Sequence, residues 1–423
     1  METSQIFAIA VFVLVMAVII SEKVHRAAVA LAGGIILIVS GVISFDQGIE
    51  AIDFATMGVL LGMMLFVAVV KESGLFEYMA IKAAKIAKGD PWRIMVAFMI
   101  VTAVFSAFLD NVTTVLLVGP MTITICRMIK TNPVPFLLTE ILASNIGGTA
   151  TLIGDPPNIM IGTAAHLSFI DFILYDTPVI IVVMVAMVIF FRFVYKNKLS
   201  ASADAQSEVL SLDENKFIKD AKLFKKSVIM IILVVAAFIC HSFLGVESCE
   251  VALAAGIIMV IIGRTNVEEA IHNVEWPTLL FFIGLFVVVG ALDKTGVIGM
   301  MANGIIQVTG GNVILTMLVI LWVSALLSAI LDNIPFVATM IPLILTMEAN
   351  GIDAAPLWWA LSLGACLGGN GTLIGASANV VLSGISSKHG YPITFISFLK
   401  IGMPMMLISV VIATAYLLLR FAL

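Results

Sequence analysis

Apolar runs long enough to cross a lipid bilayer recur along almost the whole chain. An α-helix needs about 20 apolar residues to span a hydrocarbon core of about 30 Å. Only 12% of the 423 residues are charged, whereas soluble proteins carry about 25%. We therefore predict an all-α polytopic membrane protein. The predicted crossings are residues 6–21, 27–44, 54–70, 137–153, 178–195, 228–244, 249–263, 277–292, 356–373 and 401–421.

Two further apolar stretches, residues 93–127 and 312–347, are each interrupted by an Asp-Asn pair. Basic residues flank the first stretch at both ends, which favours both ends lying on the same side of the membrane. Each stretch is therefore predicted to be a re-entrant hairpin. Residues 74–88 carry lysines on their polar positions and are predicted to form an amphipathic helix at the membrane interface.

The second half of the chain repeats the first at a nearly constant distance. Asp110 returns as Asp332 after 222 positions, and Gly147 returns as Gly368 after 221. Five crossings plus a hairpin are an odd number, so the two copies are predicted to be inverted relative to each other. Inverted repeats with interrupted helices are typical of secondary transporters. The predicted units are a first inverted repeat, 1–196, a cytoplasmic linker, 197–226, and a second inverted repeat, 227–423.

The distribution of positive charge predicts the orientation. If the N-terminus lies outside, only Lys294 and Arg420 of the 22 lysines and arginines are extracytoplasmic. Cytoplasmic loops are rich in Lys and Arg. We therefore predict a multi-pass protein of the cell (inner) membrane with both termini extracytoplasmic.

The hairpin tips carry the residues best suited to bind an ion or a proton, Asp110-Asn111 and Asp332-Asn333. A carboxylate in the bilayer interior is costly and usually marks an ion path or a proton relay. Asp is also a good helix N-cap, so each aspartate could simply begin the returning helix. Two aspartates held close together in a low-dielectric site would repel each other when both are charged. We predict that Asp110 and Asp332 couple transport to protons.

Two glycine-rich segments, residues 144–158 and 368–379, are predicted to be broken helices whose backbone groups face the site. Glycines also allow close helix packing, and Asp155 before Pro156 has the form of an N-cap. The matching positions of the two breaks favour a shared solute site. The predicted solute- or ion-binding residues are Asp110, Asn111, Thr113, Thr114, Asn145, Thr149, Asp155, Asn158, Asp332, Asn333, Asn370, Thr372, Ser377 and Asn379.

Other features are assigned no chemical role. Asp53 and Glu275 are 222 positions apart and are interpreted as solvated carboxylates at a membrane edge. The Ser/Asp/Glu-rich linker around residues 200–215 is predicted to be flexible. The four cysteines are scattered, and there is no zinc, phosphate-loop or nucleophile-elbow motif. The sequence predicts no cofactor, no bound metal and no nucleic-acid partner, and any pumping by this chain alone must use an ion gradient.

At these motifs the chain resembles the ion-transporter superfamily, in the branch of arsenical pump membrane proteins, NhaD-type sodium–proton antiporters and the melanosomal P protein. The resemblance covers nearly the whole chain and depends on residues 109–114, 145–148 and 154–158. It implies a scaffold domain and a transport domain that carries the hairpins and moves as an elevator. It leaves open a homodimer and a soluble ATPase partner.

The tip residues bear on the transported solute. Related dicarboxylate carriers have Ser-Asn-Thr at both tips, where this chain has Asp110-Asn111-Val112 and Asp332-Asn333-Ile334. Two aspartates would repel an anion unless they were protonated. We therefore predict proton-coupled export of neutral arsenite or antimonite, with a sodium–proton antiporter or a dicarboxylate carrier as alternatives. A passive channel and an aspartyl-type intramembrane enzyme fit the paired breaks less well.

Overall fold

The computed structural model describes residues 2–21, 23–196 and 199–422, and these residues contain helices and no strand. Eight of the described helices are at least 18 residues long and apolar enough to cross a membrane. This confirms the prediction of an all-α membrane protein. The helices of the first half are α1 (Thr3–Ile20), α2 (Arg26–Val39), α3 (Phe45–Glu50), α4 (Phe54–Glu72), α5 (Leu75–Ile86), α6 (Pro91–Phe108), α7 (Asn111–Met128), α8 (Val134–Thr149), α9 (Pro156–Ala164) and α10 (Phe169–Tyr195).

The second half presents the same succession of helices. After the linker helix α11 (Ala203–Leu210), ten helices match α1–α10 in order and relative length. They are α12 (Ala221–Leu244), α13 (Ser248–Gly263), α14 (Val267–His272), α15 (Trp276–Lys294), α16 (Val297–Thr309), α17 (Val313–Ser328), α18 (Asn333–Ala349), α19 (Ala355–Gly368), α20 (Ser377–Lys388) and α21 (Phe395–Phe421).

Both interrupted stretches form hairpins, α6–α7 and α17–α18, and both predicted breaks occur, between α8 and α9 and between α19 and α20. Three crossings begin earlier than hydropathy predicts. Helices α10, α12 and α21 start at Phe169, Ala221 and Phe395 rather than at 178, 228 and 401. Their first turns are held by the capping side chains of Ser168, Asp220 and Thr394. Each earlier segment contains a charged residue, such as Asp171, Lys222 or Lys400, which interrupts the apolar run that hydropathy detects.

The helices pack into two bundles. The scaffold bundle contains α1, α2, α4, α12, α13 and α15, and the hairpin bundle contains α6–α10 and α17–α21. In the scaffold, a Cβ atom on Gly62 of α4 would lie 2.3 Å from the carbonyl carbon of Ala252 on α13. A Cβ atom on Gly284 of α15 would lie 2.4 Å from that of Ala30 on α2. Glycine is required at both crossings because the two backbones nearly touch.

The described part of the linker packs against α5 and α7. Glu214 pairs with Lys85 of α5, and Lys219 Nζ lies 2.7 Å from Glu77 Oε1. The hydrogen bond with Lys85 lowers the pKa of Glu214. Gly74 adopts φ +81°, and the Phe217 carbonyl lies against it. Composition alone suggested a solvated segment because these long-range partners are not visible in it.

Candidate functional site

Each hairpin tip is built around an aspartate that caps the returning helix. Asp110 accepts hydrogen bonds from Thr113, from the backbone nitrogen at 2.8 Å and from the hydroxyl at 2.5 Å. Asp332 accepts one from the backbone nitrogen of Ile334 at 3.1 Å. The capping interpretation is therefore correct for both aspartates. Capping uses only part of each carboxylate, so it leaves room for a second role.

A network of buried asparagines joins the two repeats. Asn111 at the first tip donates to Asn145 Oδ1 at 3.1 Å. The amide nitrogen of Asn145 then donates to Asn370 and to Asn379, at 2.9 Å in both cases. These four side chains come from α7, α8, the second break and α20, although up to 268 positions separate them (379 − 111). The structure thus brings the first tip and both breaks together, as the sequence analysis expected.

Asparagine side chains also donate hydrogen bonds to the backbone carbonyl groups that the helix breaks leave without a helical partner. Asn158 donates to the carbonyl oxygens of Thr149 and Thr151 at 3.1 and 3.0 Å. Asn379 bridges the second break in the same way, at 2.8 and 2.9 Å. A buried carbonyl needs a partner, and here the protein supplies it. These particular carbonyls are therefore not free to bind a solute in this state.

The predicted threonines differ in how they are used. The hydroxyl groups of Thr149 and Thr372 donate to backbone carbonyls, of Asn145 at 2.7 Å and of Ala329 at 2.5 Å. Thr114 is fully buried, and its hydroxyl has no hydrogen-bond partner among the described residues. Thr149 and Thr372 stabilise the breaks, whereas the Thr114 hydroxyl makes no hydrogen bond to the described residues.

A small cavity lies between the hairpin tips and the scaffold bundle. Asp110 and Asp155 line it from the hairpin bundle, and Glu275, Arg26 and Leu60 line it from α15, α2 and α4 of the scaffold side. Its volume is about 20 Å³, close to the space that one water molecule needs. Asp155 is buried, and both of its carboxylate oxygens lie 3.4 Å from the amide nitrogen of Asn333. The cavity is therefore acidic and lies at the boundary between the two bundles.

Arg26 connects the scaffold to the second tip. Its Nη1 atom lies 3.0 Å from Asp332 Oδ2, and it also bonds to the Ser377 hydroxyl. Ser377 donates to the same oxygen of Asp332 at 2.7 Å. The guanidinium group lies 5.0 Å from the centre of the Phe281 ring. The charge next to Asp332 is therefore a cation, and this ion pair crosses the boundary between the two bundles.

Two of the cavity residues, Arg26 and Glu275, were missed. Glu275 was interpreted as a solvated edge carboxylate, and this is wrong because its side chain lines the cavity and accepts from Thr278 at 3.2 Å. Its repeat mate Asp53 caps α4 and accepts from the hydroxyl of Thr163 on α9 at 2.7 Å. The 222-residue spacing of the two acids was the available signal. Nothing in the sequence distinguished Arg26 from a loop arginine.

A larger crevice lies between the bundles beside Asp53. Its volume is about 730 Å³, and its lining includes Glu50, Glu247, Asp293 and Lys294. Helices α9 and α18 contribute one wall and helices α4 and α15 the opposite wall. The boundary between the bundles is thus open beside Asp53 and nearly closed beside Glu275.

Comparisons with known proteins agree with this architecture. Residues 16–364 match the family model described as CitMHS, citrate transporter. The chain is 44% identical to an uncharacterized transporter of Mycobacterium tuberculosis over 98% of both proteins. It is 33% identical to the P protein of Homo sapiens, over 99% of this chain and 60% of that protein. Its fold resembles the crystal structure of the YdaH transporter of Alcanivorax borkumensis, with a TM-score of 0.63, 16% identity and coverage of 100% and 99% of the two chains.

Proposed function

The chain belongs to the citrate transporter family, CitMHS, and from that premise we propose a secondary active transporter that exchanges protons for a small solute at the acidic cavity. Relatives that match over the full length are named transporters. The proposed proton carriers are Asp110 and Asp332, and the proposed binding residues are the remaining members of the predicted set, together with Glu275 and Arg26.

The observation that carries this proposal is the surplus of acid around the cavity. Asp110, Asp155 and Glu275 line it, while Arg26, the one cation among the described lining residues, is paired with Asp332. A free polyanion would meet several carboxylates in a poorly solvated space, where like charges repel strongly. A neutral solute or a cation avoids this cost. The geometry therefore supports a cargo that does not bring net negative charge.

We propose arsenious acid, or its antimony analogue, as the cargo. Its hydroxyl groups can donate to carboxylates and accept from asparagine amides, and both groups are present at the tips. Sodium is the second candidate, because carboxylate and amide oxygens suit hard cations. The family name makes citrate the third solute to test. Export would be driven by proton entry, and neither a second copy nor an ATPase subunit is required for this cycle.

The proposed movement is an elevator. The cavity has one wall in each bundle, so sliding of the hairpin bundle along the scaffold would carry the cavity from one side of the membrane to the other. The Arg26–Asp332 ion pair crosses this boundary and must break in that step. A solute site at the interface of a rigid and a moving bundle is a usual arrangement in transporters with repeated units.

A flux assay tests the proposal. Purified protein in liposomes would be given arsenite, sodium, citrate and succinate in parallel, with and without a pH gradient. We expect gradient-dependent movement of arsenite or sodium and a matching proton flux. Movement of citrate or succinate alone would show that the acidic cavity does not exclude anions, and it would refute the proposed cargo.

A further inference from the structure

A second buried acid lies outside the cavity, on the far side of the first break. Asp176 of α10 is fully buried, and its Oδ2 atom lies 2.6 Å from the hydroxyl oxygen of Ser362 on α19. The same hydroxyl lies 2.7 Å from Asn158 Oδ1. The other oxygen of Asp176 has no hydrogen-bond partner among the described residues. The three side chains form a row that ends at the α8–α9 break.

The number of hydrogens available for bonding decides whether Asp176 is protonated in this row of side chains. Asn158 uses its amide nitrogen on two carbonyl groups of the break, so its oxygen must face Ser362. Ser362 has one hydroxyl hydrogen but two oxygen neighbours at 2.7 Å or less. If Asp176 is ionised, one of these contacts brings two oxygens together without a hydrogen. If Asp176 is protonated, it donates to Ser362, which donates to Asn158, and every contact is satisfied.

We infer that Asp176 is a proton-binding site, and that its proton completes a relay through Ser362 to Asn158 that holds the α8–α9 break closed. Loss of the proton turns the Ser362 hydroxyl toward Asp176 and leaves Asn158 Oδ1 with only the weak thiol donor of Cys366, at 3.5 Å. Asn158 then holds the break less firmly. Because Asp155 begins α9, the proton on Asp176 is linked to the geometry of the cavity.

The two repeats differ at this point, and the difference explains why the first break needs the proton on Asp176 and the second break does not. At the second break, Asn379 Oδ1 receives a permanent amide donor from Asn145. The position that matches Asn145 in the second repeat, 221 residues later, is Cys366. A thiol is a much weaker donor than an amide. The first break therefore depends on a protonatable acid where the second depends on an amide.

Among the described residues, Asp176 has no cation paired with it. Cys366 of α19 and Tyr416 of α21 interact with it electrostatically. Arg420 of α21 is directed elsewhere, with its guanidinium 3.8 Å from the Tyr175 ring centre and bonded to the Tyr416 hydroxyl at 3.2 Å. His241 of α12 accepts from the backbone at the start of α10.

Infrared difference spectroscopy of the purified protein tests the proton directly. The spectrum of Asp176→Asn is subtracted from that of the unchanged protein at neutral pH. We expect loss of one carbonyl stretch of a protonated carboxyl group. Asp171→Asn on the same helix is the control, because Asp171 contacts Ser168 rather than Ser362 and its replacement should leave the Asp176 carbonyl stretch in place. Loss of ionised bands alone in Asp176→Asn would overturn the inference.

A second variant tests the hydrogen bond between Asp176 and Ser362. In Ser362→Ala, the protonated carboxyl group of Asp176 loses its acceptor, so its carbonyl stretch should shift in frequency. An unchanged band would show that Ser362 takes no part. The role in transport rests on the proposed proton coupling, but both spectra are independent of any cargo. A positive infrared result with no proton-coupled flux would therefore refute the proposed function and leave the proton site standing.

Discussion

At the scale of single residues, the two tip aspartates occupy matching positions but have different neighbours. Asp110 is held by Thr113 and lies beside the cavity, whereas Asp332 is paired with Arg26. Residues related by a repeat can therefore take different parts in one cycle. Asp110 is the less compensated of the two carboxylates, and in the proposed movement Asp332 would exchange its partner.

The first prediction concerns these carboxylates. Asp110→Asn and Asp332→Asn keep the side-chain shape and a capping oxygen while removing titration. We expect each variant to fold and insert but to lose gradient-driven flux down to the level of empty liposomes. Asp353→Asn, which removes a capping carboxylate before α19, is the matched control and should transport normally. Unchanged flux and pH dependence in both tip variants would leave the aspartates as caps only.

The second prediction concerns the ion pair. Breaking a fully buried pair costs about 3–5 kcal/mol, but here the side chains retain 27% and 13% of their exposure. Arg26→Ala should therefore lower the free energy of unfolding by less, about 1–2 kcal/mol. Arg26→Ala combined with Asp332→Asn should recover part of the loss, because no unpaired charge remains. Thermal unfolding in detergent measures the cycle, and strictly additive losses would exclude the pairing.

Sequence reasoning found the parts of the site whose motifs occur in both repeats. The tips and breaks recur after 221 or 222 positions, and this recurrence predicted that they meet, as Asn111 and Asn379 do through Asn145. Arg26 has no repeat mate of its own type, and Glu275 begins a helix, where an acid is ordinarily solvated. The roles of Arg26 and Glu275 depend on the position of one bundle relative to the other. A repeat pattern in the sequence does not reveal that position.

At the scale of helices, the scaffold depends on two glycine crossings. Gly62→Ala or Gly284→Ala would force a methyl group into the backbone of Ala252 or Ala30. Overpacking of this kind typically costs about 1–3 kcal/mol, and both variants should unfold at lower temperature. Gly304→Ala on α16 has no atom within 4 Å of the added carbon and is the control. If all three unfold alike, the close crossings do not stabilise the scaffold.

The hairpins and breaks were predictable because an Asp-Asn pair or a glycine run interrupts a long apolar stretch. The starts of α10, α12 and α21 were not, because charged residues near the start of each helix interrupt its apolar run. The packing of the linker on α5 could not be predicted from the sequence either, because it depends on ion pairs such as Lys85 with Glu214, whose residues lie 129 positions apart.

At the scale of the whole molecule, orientation is a separate prediction. We expect Ser202 in the linker to face the cytoplasm. A Ser202→Cys variant, made after the exposed Cys240 and the partly exposed Cys249 are replaced by serine, should react with an impermeant thiol reagent only in opened cells. Labelling in intact cells would reverse the topology.

The inverted repeat predicts the opposite end state. Asp53 now contacts Thr163, and the positions that match them are Glu275 and Gly384. If the bundles exchange roles, residues 275 and 384 should meet in the other state. Cysteines at 275 and 384 should therefore form a disulfide during transport, as cysteines at 53 and 163 should in the present state. With the single variants as controls, a pair at 275 and 384 that never links under transport conditions would argue against the movement.

The glycine crossings also bear on how the protein is made. Gly62 packs on Ala252 and Gly284 on Ala30, so each close contact takes one residue from each half of the chain. The first half leaves the ribosome with its side of both crossings uncovered, and the crossings form only when α13 and α15 have entered the membrane. Biogenesis therefore has a late, cooperative stage in which neither half matures alone.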